Sequence, residues 1–428
     1  MKYRISTLGC KVNQYETQAM ETILRDCGHV PAGPEETADV VIVNTCAVTA
    51  ESGRKSRQLI RRLREENPGA VIGVCGCYAQ LSPEEVRQSG GTVIFGTGDH
   101  VGFLQALEKA AEEAVISVDD PFHRYVYEEL PAGAVSGRTR ALLKIQDGCV
   151  NFCSYCIIPY TRGRLRSLPA EKAAEAAERL AAEGYRELVL TGIEIASWGA
   201  DLPGRPHLAE VISAIAARSG SMRIRLGSLE PTVITEEFCA ALSSSGGLCR
   251  HFHLSLQSGC DRTLKAMNRK YDTARFLQAT QLLRKAFPGC GIACDLITGF
   301  PGETEEDFRE TLAFLKKCAF SDMHIFPYSR RPGTPADKMP GQCTNAVRQR
   351  RAAEALAVRN ELHRSFLERC VGQNLPVLFE TEKDGICSGH SDTYVLVSAS
   401  GHALRNRVCN VCITDTDGET LSGVIKEK

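Results

Sequence analysis

ALLKIQDGCVNFCSYCIIPYTRGR, residues 141–164, is the stretch on which the fold turns. ALLKIQ reads as a buried β-strand, apolar and bounded by Asp147 and Gly148. Three cysteines follow it directly, Cys149, Cys153 and Cys156, in a C-x-x-x-C-x-x-C spacing. Iron–sulfur clusters take thiolate ligands from such short loops, and a 4Fe-4S cluster normally uses four, so three local thiolates leave one iron open. Zinc is the competing reading. Structural zinc sites are closed by four ligands, usually in two separated pairs, and no partnering C-x-x-C or H-x-x-x-H follows this loop.

Downstream, the runs ELVLTG, RIRLGS, HFHLSL, ACDLITGF and MHIFPY alternate with helical patterns such as AEKAAEAAERLAAEG and TEEDFRETLAFLKKC. With ALLKIQ they make six β/α units, too few for a closed eight-strand barrel, so the sequence predicts a partial, open (β/α)6 barrel. Polar residues stand just past its strand ends, where barrel enzymes build their sites: Thr191, Gly192 and Glu194; Ser228 and Glu230; Gln257 and Ser258; and Tyr328. Strand-end capping is the plainer role for each.

Upstream, residues 1–116 alternate KYRIST, DVVIVNT and AVIGV with amphipathic segments, the pattern of a parallel α/β sheet. Cys10, Cys46 and Cys77 each follow one of these strands, in TLGC, VNTC and VCGC. Loops after the C-terminal ends of parallel strands lie along one edge, so the three are expected to meet. A single strand-end cysteine is ordinarily a packing residue. Three so placed beside an established trio point to a second three-thiolate cluster. Pro121, Pro131, Gly133 and Gly137 mark a linker. After a basic helical segment near Arg348 to Arg364, the chain closes with LPVLFETE, TYVLVSAS and NRVCNVCITDT, a small antiparallel barrel. The expected domains are 1–116, 135–369 and 371–428.

Composition agrees with this division. At 428 residues the chain is about three domains long. Its 43% hydrophobic and 24% charged residues exclude a disordered chain or a coiled coil. No leader-like apolar run opens the sequence and no apolar stretch approaches the ~18 residues of a membrane span, so a cytoplasmic protein with no membrane segment is expected. The 19 cysteines therefore point, where clustered, to metal or redox chemistry. The other thirteen, among them Cys27, Cys260, Cys294, Cys318, Cys409 and Cys412, are expected to be buried apolar residues. Cys409 and Cys412 have C-x-x-C spacing, but on a strand they face opposite ways.

The Cys149 loop has the spacing of the radical S-adenosylmethionine (SAM) superfamily. Together with TLGCKVNQYETQ, VNTCAVT, GCYAQ, LSLQSGCDRTLKAMNRKY, DLITGFPGETEEDF and HIFPYSRRPGTPA, it resembles the methylthiotransferases over essentially the whole chain. The resemblance implies an N-terminal domain with an auxiliary 4Fe-4S cluster, a radical SAM partial barrel and a C-terminal TRAM domain. It assigns Cys149, Cys153 and Cys156 to the cluster that binds SAM, and Cys10, Cys46 and Cys77 to the auxiliary one. Cys75 stands two residues before Cys77, and the choice between them rests on the GCYAQ match. Tyr155 resembles the aromatic beside the adenine of SAM, and Thr191 and Glu194 resemble positions that meet its amino group.

The KVNQYET continuation after Cys10 resembles the branch that converts N6-threonylcarbamoyladenosine at tRNA position 37 to its 2-methylthio derivative. Sister branches act on isopentenyladenosine or on a ribosomal protein, and a non-catalytic iron–sulfur RNA-binding protein is the alternative of another class. Carbon 2 of adenine is unactivated toward nucleophiles, so the chemistry is radical rather than acid–base, and no catalytic side chain is assigned. An electron donor such as flavodoxin or ferredoxin is implied, and a monomer is expected. The ten histidines, including His251, His253 and His324, show no ligand spacing and are expected to be strand or surface residues.

An anticodon stem-loop calls for a basic surface. The net charge of −1 offers none in bulk. Arg138, Arg140, Lys144, Arg162, Arg164 and Arg166 stand against Asp147 alone, predicting a basic collar at the SAM site, and RKSRQLIRRLREE (54–66) predicts a basic helix face near the auxiliary trio. The TRAM segment is net acidic, which limits it to a few contacts such as Arg405 and Arg407.

Overall fold

The computed structural model describes residues 1–33, 36–109, 115–132 and 139–426; Gly133, Gly137 and Arg138 lie outside them. The N-terminal sheet has six parallel strands in the order Val30–Pro31, Lys2–Thr7, Val40–Thr45, Val71–Gly76, Val93–Phe95, Val115–Ser117. VVIVNT at 40–45 is buried at every position, as expected of a central parallel strand covered on both faces. One face packs Tyr3, Met20, Cys75 and Phe103, and the other packs Val41, Ile60, Val74, Cys77 and Tyr78. Strand order reverses direction between Lys2–Thr7 and Val40–Thr45, the topological switch point at which doubly wound sheets open a crevice. Three short strands, Val30–Pro31, Val93–Phe95 and Val115–Ser117, were not expected from the sequence.

The six β/α units form an open barrel of parallel strands: Arg140–Asp147, Glu187–Gly192, Arg223–Leu226, His251–Gln257, Gly291–Thr298 and Asp322–Pro327. A short piece, Ser228–Leu229, pairs beside His251–Gln257, and Arg166–Ser167 adds an antiparallel edge. The wall divides into two four-stranded sheets at Gly227. Outer helices including Ala170–Ala182, Leu208–Arg218, Thr273–Ala286 and Glu305–Cys318 bury Ala177, Ile212, Phe276 and Leu315 against it in one core.

A 26-residue helix, Asn345–Cys370, leads to the C-terminal domain. There Asn374–Lys383, Ile386–Ser391, Leu396–Ser400, Val408–Thr416 and Leu421–Ile425 form a closed five-stranded barrel around Val377, Phe379, Val397, Val411 and Leu421. Its pairings are antiparallel except for Leu396–Ser400 with Leu421–Ile425, which is parallel.

Two local expectations are corrected. Cys27 is exposed, because it caps the C-terminus of the helix Lys11–Asp26 instead of lying on its buried face. The basic collar does not form. Arg162, Lys144 and Arg166 are buried and paired with Glu16 or Asp147, and Arg140 pairs with Glu380, which leaves Arg164 as the exposed cation among the described members. Residues whose charges add along the chain point inward from their strands and helix and are neutralised there. The histidines of the barrel strands lie on strands, as expected, and His251, His253 and His324 also line one cavity.

Candidate iron–sulfur and substrate site

Cys10, Cys46 and Cys77 stand one to three residues past the neighbouring strands Lys2–Thr7, Val40–Thr45 and Val71–Gly76, at the switch point of the sheet. Glycines set two of these turns. Gly9 has φ +112°, and a Cβ there would lie 2.9 Å from Cys46 Cβ; Gly76 has φ +95°, and a Cβ would lie 2.4 Å from Asn44 Oδ1. Only a residue without a side chain allows Cys10 and Cys46 to approach, or lets the chain turn into Cys77. Cys75 faces the other side of the sheet, among Tyr3, Met20 and Phe103.

Cys149, Cys153 and Cys156 occupy the loop after Arg140–Asp147. Gly148, with φ +74°, starts the loop, and a Cβ would strike the Arg164 carbonyl oxygen. LKAMNRKY then clamps it: Ser154 N donates to Met267 O at 3.0 Å, Asn268 Nδ2 donates to Phe152 O at 2.9 Å, and Arg269 Nη1 donates to Cys153 Sγ at 3.2 Å. The two trios face one interface. The helix Cys77–Leu81 packs on Ile158–Arg162, and Ile157 shares a core with Cys77 and Tyr78.

The fully buried Arg162 joins the halves. Its Nη2 donates to Glu16 Oε2 at 3.0 Å and to Asn13 Oδ1 at 2.9 Å, both on the helix that follows Cys10, while Lys144 Nζ contacts Glu16 at 3.0 Å and Asp147 at 3.1 Å. Its guanidinium also lies against Cys77. Arg162 Nε is buried without a hydrogen-bond partner, so a donor stands ready for an anionic group beside the first trio.

The donor chemistry fits clusters better than a single ion. A tetrahedral zinc, with Zn–S near 2.3 Å, needs sulfurs about 3.8 Å apart. Among the described residues the donors gathered at single-ion distance are His253, Asp295 and His324, and neither cysteine trio is so tight. Burial pushes the Cys149 and Cys156 thiols up to about 12, and also raises Cys46 and Cys77. These thiols ionise only when a cationic metal centre takes the proton's place.

Glu194 and Glu230 are buried beside the second trio. Burial first, and the neighbouring Glu230 second, push the Glu194 carboxyl up to about 7. Asn151 Nδ2 donates to Glu230 Oε2 at 3.1 Å. The Arg269 guanidinium offsets the rise at Glu194 only in part, and two carboxyls so apposed suit an incoming ammonium. Thr191 is buried at its strand end, and Tyr155 is half-buried against Met267, Phe300 and Tyr328. Gln257 ends its strand at φ +69°. Ser228 is set apart from this group: it lines a cavity inside the barrel with His251, His253 and His324. Sequence reasoning missed Arg269, Arg162 and this histidine cavity; the LKAMNRKY motif was the available signal for the first.

Beside the cysteine loop, Phe122, Phe152 and Tyr160 form an aromatic cluster with centroids 5.9 to 6.4 Å apart, and Arg164 lies over Tyr125. Phe152, Tyr160 and Tyr125 are exposed.

Residues 143–315 match the radical SAM superfamily, and residues 2–96 match an uncharacterized protein family, UPF0004. The chain is 41% identical over 404 residues to the threonylcarbamoyladenosine tRNA methylthiotransferase MtaB of Bacillus subtilis, covering 92% of this chain and 89% of that one. Its Thermotoga maritima counterpart is 37% identical, covering 92% and 90%. A tRNA-2-methylthio-N(6)-dimethylallyladenosine synthase of Pelotomaculum thermopropionicum is 34% identical, covering 99% and 97%. Among solved structures, the radical SAM methyltransferase TsrM of Kitasatospora setae superposes with a TM-score of 0.58 at 16% identity, covering 91% of this chain and 77% of that one, which speaks to fold alone. With near full-length identity of this order, and a radical SAM barrel between a six-stranded parallel sheet and a closed β-barrel, the chain belongs to the radical SAM tRNA methylthiotransferase family.

Proposed function

We propose that this protein converts N6-threonylcarbamoyladenosine in a tRNA anticodon stem-loop to its 2-methylthio derivative. The observation that carries the reading is the facing of two cysteine trios across one interface, each set by a glycine turn. Cys149, Cys153 and Cys156 would hold the 4Fe-4S cluster that takes SAM, and Cys10, Cys46 and Cys77 the auxiliary one. The clusters and SAM supply one-electron chemistry able to functionalise an unactivated C–H bond.

The chain's own part is positioning. Glu194 and Glu230 bind the amino group of SAM, with Thr191 beside them and Tyr155 and Gln257 walling its nucleoside. Arg269 hydrogen-bonds the Cys153 sulfur and fixes its position in the loop. Arg162 keeps the two halves, and so the two trios, in register. The Phe122, Phe152 and Tyr160 cluster offers bases a stacking surface, which suits an unpaired loop better than bulk charge would. The domains run 1–116, 135–369 and 371–428. No helix among the described residues is long and apolar enough to cross a membrane; we place the protein in the cytoplasm, as a monomer supplied by a flavodoxin- or ferredoxin-type reductant.

Anaerobic reconstitution should give about eight irons per chain. With reductant, SAM and a stem-loop carrying threonylcarbamoyladenosine, mass spectrometry should find the 2-methylthio nucleoside together with 5′-deoxyadenosine. The Cys153→Ala variant should give neither. Modification of a dimethylallyladenosine stem-loop alone would move the chain to the sister branch, and no SAM turnover at all would support a non-catalytic RNA-binding role.

A further inference from the structure

A cavity of about 220 Å3 opens inside the barrel, lined by Ser228, His251, His253, His324, Tyr394 and, from the N-terminal domain, Lys11. Its lining comes from both of the domains that carry the proposed centre. Lys11 directly follows Cys10, and Ser228 stands two residues before Glu230. Its volume equals about seven waters at about 30 Å3 each, room for one amino-acid-sized group.

Its polar groups are arranged by strand register. Asp295 pairs with His324 across neighbouring strands, and both His253 Nε2 and His324 Nδ1 lie 3.2 Å from Asp295 Oδ1. His251, itself buried, has an Nδ1 without a hydrogen-bond partner. The cations differ in availability. Arg225 is committed to Glu187 and to the Ser391 and Asp392 carbonyl oxygens. Lys11 pairs with no described residue, yet its charge reaches both His251 and His324. The result is one uncommitted ammonium lining a pocket otherwise supplied with imidazoles, hydroxyls and the Asp322 carboxylate, which is held by Arg359.

Resting on the function proposed above, we infer that this cavity receives the threonylcarbamoyl group on N6 of the target adenosine, with Lys11 binding its carboxylate. The remaining chemistry matches. The Ser228 hydroxyl pairs with the substituent's hydroxyl or amide, and the open His251 Nδ1 meets its carbonyl or hydroxyl. A dimethylallyl group, neutral and apolar, would leave Lys11 and His251 Nδ1 without a partner, a penalty that rejects it.

The test uses the full-length reconstituted enzyme and two stem-loops, one carrying threonylcarbamoyladenosine and one its carboxamide analogue, which keeps the shape and loses the charge. The wild type should prefer the carboxylate by about 10- to 100-fold in kcat/KM, the value of one charge-assisted hydrogen bond. Lys11→Gln should abolish that preference, mainly through KM on the carboxylate, and Lys11→Arg should retain most of it. Retention of the preference in Lys11→Gln, or equal losses on both RNAs, would overturn the inference. A wild type inactive on the carboxylate RNA but active on a dimethylallyl one would instead overturn the functional reading on which the inference rests.

Discussion

Glu194 shows how a single side chain records its missing partner. A carboxyl held at about 7 by burial and by Glu230 is neutral in the cofactor-free protein at mild acid and charged above that. Because the folded value lies above the unfolded value of 4.5, its contribution to stability is complete below that value and lost as pH rises through about 7. Thermal melts of the cofactor-free protein should therefore fall between pH 5 and pH 8 by up to ~3 kcal/mol, and Glu194→Gln should flatten that fall. The same substitution should weaken SAM binding at least about 10-fold at pH 8, because the ammonium loses a buried counter-ion; calorimetric titration with SAM checks this. The residue types of the site were legible at this scale, and their states were not. Lys144 and Arg162 look like surface cations in the sequence and are buried and paired in the fold.

At the scale of elements, the loops after parallel strands carry the site, and their glycines are as restrictive as their cysteines. Gly9→Ala would force a left-handed φ on a residue with a Cβ and press it against Cys46. The expected outcome is a protein that loses about half of its roughly eight irons, keeps the other cluster and still cleaves SAM, but makes no methylthio product; iron and product assays read all three. Central strands such as VVIVNT were legible because burial on both faces makes them continuous apolar runs. Val30–Pro31, Val93–Phe95 and Val115–Ser117 were not, because two or three residues carry no periodicity and are recruited by neighbours already in place.

The whole molecule is held by buried ion networks at its two junctions. Arg162 and Lys144 on Glu16 tie the N-terminal sheet to the barrel. At the other junction Arg223 and Arg225 bind Glu187 and donate to the Pro376, His390, Ser391 and Asp392 carbonyl oxygens of the C-terminal domain. Burial alone would raise the Glu187 carboxyl, but the two guanidiniums hold it at about 2. Its stabilisation is thus present above the unfolded value of 4.5 and lost as pH falls toward 2. Glu187→Gln should destabilise the protein by about 3–5 kcal/mol near neutrality, by leaving two buried cations short of a counter-charge, and should make the C-terminal domain separable by limited proteolysis. Melting temperature and cleavage pattern are the measurements.

By itself the sequence determined the three-part architecture and both cysteine trios, because strand burial, cysteine spacing and strand-end placement are local properties of the chain. Only the tertiary structure decided which charges reach solvent, that Arg162 bridges the halves, that His253, Asp295 and His324 from three separate strands meet, and that the two histidines line one cavity with Lys11. Those outcomes depend on strand register and on the inward or outward sense of each side chain, and both are set only when neighbouring strands pair.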